Sequence, residues 1–230
     1  MSPAPAVLVE RSGARVNIVL NRPERKNSVT AELAEQLRDA FRSVGADPSA
    51  GCVVLHGADG VFCSGIDLKA SGDGGKPGPI PAWTQVHAEI YRCPVPVVVA
   101  LEKYAINAGA ALVLAADIVV AGEGSFLQVS EMAMGLAAPM NQAWLHLRHS
   151  PAVADRLLLV ADRVPAAELL RLAVVTETVA DGAVLERANE LGDRIAAYPA
   201  SGREGVARVW TKIRGDIEDP ESWFASLAAR

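Results

Sequence analysis

Pro94 to Gly135, PVPVVVALEKYAINAGAALVLAADIVVAGEGSFLQVSEMAMG, decides the fold. An apolar, β-branched run from Val95 to Leu101 breaks at Glu102-Lys103. It gives way to small residues from Ala105 to Ala111 and is answered by a second apolar run at Ile118-Val119-Val120. Short apolar runs on either side of an Ala-rich segment read as strand, helix, strand in a buried parallel sheet. Asn107, Ala108, Gly109, Ala110 and Ala111 leave the backbone nearly bare where the helix begins. A helix start presents unpaired N–H groups, a setting suited to an oxygen that gains negative charge during a reaction. The same smallness serves close packing of a helix on a sheet, so the stretch taken alone leaves both readings open.

A second stretch shifts the balance. Val61-Phe62-Cys63-Ser64-Gly65-Ile66-Asp67-Leu68 follows a strand-like run from Cys52 to Leu55 and offers another turn of small residues whose backbone can approach a ligand. Two such N–H sources are what an oxyanion hole requires.

Working outward, Val7-Leu8-Val9 and Val16 to Leu20 flank Arg11-Ser12-Gly13-Ala14 as a strand pair. Thr30 is placed to cap a helix in which Leu33, Leu37, Ala40, Phe41 and Val44 recur at helical spacing. Ser71 to Pro81, SGDGGKPGPIP, cannot form a regular element and reads as a mobile loop bordering the pocket. Trp83 to Tyr91 reads as a helix, and Pro139 to His149, Pro151 to Val160 and Pro165 to Leu172 as three more, each opened by proline. Ala173 to Val179 is extended and Ala183 to Ala197 helical. Val206, Val209, Trp210 and Ile213 share one face of a terminal helix, followed by a short tail.

A chain of 230 residues, 50% hydrophobic, is long enough to bury one substantial core. Its net charge of −5 is spread without long runs, which argues against a nucleic acid or an anionic membrane as partner. Cys52, Cys63 and Cys93 lack metal-ligand spacing and read as buried free thiols in a reducing compartment. The N-terminus carries no basic region followed by an apolar core, so a cytoplasmic protein is expected. Neither GxGxxG nor GxxxxGK[ST] occurs, leaving dinucleotide and P-loop chemistry without support.

Asn21 to Ser28 (NRPERKNS), Phe62 to Leu68 (FCSGIDL), Tyr104 to Leu112 with Ala116-Asp117-Ile118, and Glu131 to Gly135 occur in the order in which the crotonase, or enoyl-CoA hydratase/isomerase, superfamily carries its motifs. The chain resembles that superfamily, more weakly as far as about Tyr198. The resemblance implies an α/β fold of the Clp protease/crotonase type, a spiral of ββα units with a C-terminal helical region. The core is expected over residues 1–195, with a helical segment, short for the family, over 196–230.

The resemblance further implies an acyl-CoA thioester as substrate, coenzyme A entering as part of it and not as a bound cofactor, no metal, and a homotrimer or hexamer. It places the two oxyanion donors at the backbone N–H groups of Ile66 and Ala108, the latter where the family has glycine. Arg25, Lys26, Ser28, Ser64, Gly65, Asp67, Leu68, Lys69 and Gly109 fall where the family contacts substrate and coenzyme A. Hydratases use two glutamates. The first position is Ala111 here, and the second is Glu131 counted back from Gly135, or Ser130 counted forward from Phe126. Glu131 is preferred, because burial amid Val129, Met132, Met134 and Leu136 would raise its pKa toward that of a useful base.

One glutamate with an oxyanion hole suits proton shuttling better than water addition, which favours isomerase chemistry over hydratase chemistry. The alternatives are a CoA-thioester hydrolase on the same fold and a non-catalytic acyl-CoA binding protein. The substitution of Met140-Asn141-Gln142 for a glycine-rich segment alters the acyl pocket.

Overall fold

The computed structural model describes residues 4–67, 79–213 and 216–228. The chain begins with β1 (Val7–Ser12) and β2 (Arg15–Leu20), paired antiparallel, and passes to α1 (Ala31–Gly45). Thr30 caps α1 as its residue type and position require, its Oγ1 accepting from Leu33 N at 3.2 Å. Leu33, Leu37, Ala40, Phe41 and Val44 form the helix's buried face.

β3 (Cys52–Gly57), α2 (Ile80–Arg92), β4 (Val97–Leu101), β5 (Tyr104–Ile106), α3 (Ala108–Ala115), β6 (Ile118–Gly122), β7 (Phe126–Gln128) and α4 (Pro139–Arg148) follow. The repeat is ββα. β3, β4 and β6 join the main sheet, parallel to one another, while the second strand of each unit turns away from it. Cys63, β5 and β7 line up side by side in that second layer, and Val29 and Ile66 bridge in the same way. The sheet orders are β1-β2-β3-β4-β6-β9 and β5-β7-β8, where β8 is Val164–Pro165 and β9 is Glu177–Val179.

Alternation across the main sheet separates two cores. Val53, Leu55, Val97, Val99 and Leu101 face the large cluster that includes α1 to α4, whereas Cys52, Val54, Val98 and Ala100 meet Val184, Ala188 and Leu191 of α7 (Val184–Ala196). α5 (Pro151–Val160) and α6 (Ala166–Arg171) follow α4 as the proline positions predict, Pro165 serving as the N-cap of α6.

Two elements differ from the sequence-based expectation. The segment after Glu102-Lys103 is not helical at once: β5 intervenes, because Lys103 turns the chain with φ 54° and Cys63 and Phe126 offer strand partners on either side. The tail beyond α8 (Ala200–Ile213) is also a helix, α9 (Pro220–Ala228), which packs on α2 and α4. Its Phe224 is fully buried in an aromatic group with Trp144, Tyr91 and His87. Trp144 Nε1–H donates to His87 Nδ1 at 2.8 Å, and burial pushes the His87 pKa down to about 3, so this imidazole is neutral.

Candidate active site

Gly65 begins the site. Its φ of +95° suits glycine, and a side chain there would approach the Ile106 carbonyl. Val29 N–H donates to Gly65 O and Asp67 N–H donates to Val29 O, both at 2.8 Å. This pattern straddles Ile66 and leaves its own N–H out of the bridge. Across from it, Ala108 is the first residue of α3, so its N–H has no acceptor one turn back.

The approach of the two elements is set by Gly109, whose Cβ, were there one, would lie 2.7 Å from the Cys63 carbonyl oxygen. Asn107 precedes the helix with φ 51° and ψ −107°, an unusual conformation for a residue with a side chain. Its Oδ1 holds the next segment in place by accepting from Ser130 N–H at 2.7 Å and Ser130 O–H at 3.0 Å.

Ser130 leads into a 3₁₀ turn, Glu131–Met134, closed by Gly135 in the left-handed region. Glu131 Oε1 accepts from Asn141 Nδ2–H at 3.0 Å, while Oε2 is buried and has no hydrogen-bond partner among the described residues. Burial raises the Glu131 pKa from 4.5 to about 7, against the opposing pull of hydrogen bonds from its own backbone and from Asn141.

Ile66, Ala108 and Glu131 line one cavity of about 440 Å³, walled further by Ile80, Trp83, Leu136 and Leu227. The structure thus brings the three sequence-predicted catalytic positions together. Ser130, the alternative to Glu131, is committed to Asn107. Ala111, where the resemblance implies the first glutamate, is fully buried inside α3.

Of the predicted substrate-binding residues, Asp67 gathers two, Arg25 lying 3.3 Å from its carboxylate and Ser28 O–H donating to it at 3.3 Å, and it also holds Arg22, which was not predicted, at 3.4 Å. Lys26 is exposed, and its carbonyl accepts from Ser64 N–H at 3.1 Å. Gly109 is buried against Cys63. Leu68, Lys69 and residues 71–78 of the expected Ser71–Pro81 loop lie outside the described residues; Ile80 and Pro81 are not loop but the first turn of α2, where proline is tolerated, and Ile80 is on the cavity wall.

Sequence reasoning missed two contributors. Asn27 is fully buried and staples the turn, donating to the Ala58 and Val61 carbonyls and accepting from Arg22 N–H. Asn141 is 1% exposed and bridges Glu131 to the Asn107 carbonyl. The signal for Asn141 was a polar residue in the first turn of α4, one turn before the buried Trp144 and Leu145.

A spiral of ββα units that gathers Ile66, Ala108 and Glu131 around one cavity is the architecture of the crotonase class. The sequence pattern of the enoyl-CoA hydratase/isomerase family matches residues 10–214, and the chain belongs to that family.

Enoyl-CoA hydratase EchA19 of Mycobacterium tuberculosis is 34% identical over 225 residues, 95% of this chain and 84% of that protein. 1,2-Epoxyphenylacetyl-CoA isomerase of Escherichia coli is 28% identical over 94% of this chain and 87% of its own. A crystal structure of enoyl-CoA hydratase from M. tuberculosis superposes with a TM-score of 0.83 at 29% identity, covering 97% of this chain and 89% of that one. The protein is an acyl-CoA-processing enzyme of the enoyl-CoA hydratase/isomerase type. Among the described residues no helix is long and apolar enough to cross a membrane, and no cluster of His, Cys, Asp or Glu is placed to hold a metal ion.

Proposed function

We propose that the protein moves a proton along the acyl chain of a coenzyme A thioester, with Glu131 as the acid/base and isomerase chemistry favoured over hydratase chemistry. The observation that supports this most directly is Glu131, the one carboxylate among the described residues lining the cavity, set beside Ile66 and Ala108 with its Oε2 without a partner among those residues. Because Oε1 is held by Asn141, Oε2 is the atom that takes the proton.

Glu131 Oε2 removes a proton from C2 of a 3-enoyl thioester. The electron pair left behind delocalises onto the thioester oxygen and C4 as a dienolate, which the N–H groups of Ile66 and Ala108 stabilise. The same oxygen then returns the proton to C4, giving the 2-enoyl isomer. Each backbone donor in such an arrangement is worth about 3 kcal/mol to the transition state. Arg25, Lys26 and Lys69 are proposed to meet the phosphates of coenzyme A, Arg25 remaining within reach of Asp67.

The test is the pH dependence of solvent-deuterium exchange at C2. Glu131 works as a base when ionised, and its pKa is about 7, so exchange should rise across neutral pH and level off above pH 8. A rate already level from pH 5 upward would refute Glu131 as the base.

A second proposal concerns assembly and compartment. Met132, Met134, Leu136, Leu159 and Val160 are exposed, and covering them supports a homotrimer or a hexamer as the working form. Light scattering at micromolar concentration is expected to give three or six times the chain mass, and a stable monomer contradicts the proposal. Three free thiols are consistent with work in the reducing cytoplasm.

A further inference from the structure

The cavity around Glu131 is larger than a short acyl chain needs. It measures about 440 Å³, and a four-carbon acyl group, at about 30 Å³ per carbon, the share of one water molecule in the liquid, fills roughly a quarter of it. Its described walls are apolar apart from Glu131, Asn141 and Thr84, and the Thr84 hydroxyl already donates to the Pro81 carbonyl at 2.9 Å. A second cavity, of about 340 Å³, lies against the first: Ala137 and Pro139, leading into α4, and Leu227 of α9 belong to both.

The second cavity differs in chemistry, with Gln142, His146 and Trp223 in its wall. Gln142 and His146 are four residues apart on α4, which places their side chains on one face of the helix, and both are exposed. Gln142 Nε2–H donates to the Ala137 carbonyl, so Oε1 is left as the acceptor. The Met140-Asn141-Gln142 segment is therefore split between the compartments: Met140 and Asn141 wall the first and Gln142 the second.

We propose that the two cavities form one bipartite acyl site, and that the substrate is a medium- or long-chain acyl-CoA whose far end carries a neutral hydrogen-bonding group such as a hydroxyl. Ala137 and Leu227 stand at the passage, and Gln142 and His146 are the specificity-determining residues. The inference deepens the reading of the Glu131 cavity as an acyl site and rests on it. The first compartment holds methylenes, each of which adds to affinity by leaving water. A hydroxyl stranded among its apolar walls, away from Glu131 and Asn141, weakens binding. Carried past Leu227, the same hydroxyl meets Gln142 Oε1 and the His146 imidazole, which accepts or donates according to its tautomer. The site thus reads both the length of the chain and the polarity of its tip.

Calorimetry with unsubstituted acyl-CoAs of four to sixteen carbons and ω-hydroxyacyl-CoAs of eight to sixteen, below micelle-forming concentrations, tests the native protein. Decanoyl-CoA is expected to bind at least about a hundredfold more tightly than butyryl-CoA. A terminal hydroxyl is expected to weaken binding about tenfold at eight carbons and to strengthen it about threefold to tenfold at the length that reaches Gln142. Gln142→Leu combined with His146→Leu is expected to abolish that gain. Ala137→Trp, at an exposed position, narrows the passage and is expected to lower the hexadecanoyl-to-butyryl affinity ratio at least about tenfold.

Affinity that levels off at four carbons overturns the proposal, as does a terminal hydroxyl that weakens binding at every length. A hydroxyl gain that survives the loss of both the Gln142 and His146 side chains also overturns it, because the chain end then lies in solvent. Should a variant not fold, the two chain-length series on the native protein decide. If the Glu131 cavity is not the acyl site, thioesters of every length bind no more tightly than coenzyme A itself and C2 exchange persists in Glu131→Gln, a pattern that none of the other failures produces.

Discussion

Glu131→Gln is expected to lower C2 proton exchange by about 10²–10⁴-fold while leaving acyl-CoA affinity within a few fold of native, since it removes the proton acceptor and leaves the backbone donors untouched. The same substitution should stabilise the fold. The carboxyl group titrates at about 7 in the folded chain against 4.5 ordinarily. A raised pKa favours the folded state fully below the ordinary value, and that advantage is lost as pH rises through the folded value. Glutamine does not titrate and escapes the loss. Glu131→Gln is therefore expected to gain on the order of 2 kcal/mol over native at pH 8 and almost nothing at pH 4.5, as read by urea unfolding at each pH. Equal stabilities at pH 8 would show that the carboxylate is better solvated than its surroundings imply.

Gly109→Ala carries the next largest effect, through geometry alone. The new Cβ would stand 2.7 Å from Cys63 O, a backbone atom, and 2.8 Å from Cys63 Cβ, which is bonded directly to that backbone, so neither can swing aside as the end of a flexible side chain would. Relief requires α3 to move away from the Gly65–Ile66 turn, which separates the N–H groups of Ile66 and Ala108 proposed to hold the thioester oxygen. Overpacking of this kind costs about 1–3 kcal/mol, and a displacement near 1 Å at a catalytic group costs about 10²-fold in rate. Gly202 in α8 is the control, because a Cβ there meets nothing within 4 Å. Gly202→Ala should leave turnover unchanged and add about 0.5–1 kcal/mol of stability. Comparable turnover for the two variants would mean that the close contact at Gly109 does not set the spacing of the donors.

The parts of this fold legible in the sequence are those whose determinants are local. Thr30 and the apolar positions Leu33 to Val44 specify α1 without reference to anything else in the chain, and the alternation of apolar runs around Ala108–Ala115 specifies the parallel sheet. β5 was hidden because Tyr104–Ile106 is three residues long and takes its extended form from Cys63 and Phe126, forty residues before it and twenty after. α9 was hidden because its reason for folding is Phe224, whose partners Trp144 and His87 lie on α4 and α2. At the site, Ile66, Ala108 and Glu131 were reachable through motif order, and their meeting in one cavity is what the folded chain adds. Asn141 was seen only as a departure from a glycine-rich pattern. Its meaning depends on two acceptors, Asn107 O and Glu131 Oε1, that no spacing rule brings together.

Burial holds the thiols of Cys52, Cys63 and Cys93 at about 12, so at neutral pH each is almost wholly protonated and poorly nucleophilic. Cys52 and Cys63 are buried, so their alkylation must wait for the chain to open, whereas Cys93, expected to be buried, is partly exposed because it sits at the end of α2. Cys63 lies in the turn that leads to Ile66, while Cys52 lies on β3 in the sheet. Their relative labelling rates form a pair of clocks, one for local opening of the acyl turn and one for opening of the sheet. A thioester seated across Ile66 and Ala108 would slow the first clock more than the second, which makes occupancy measurable by mass spectrometry without any turnover.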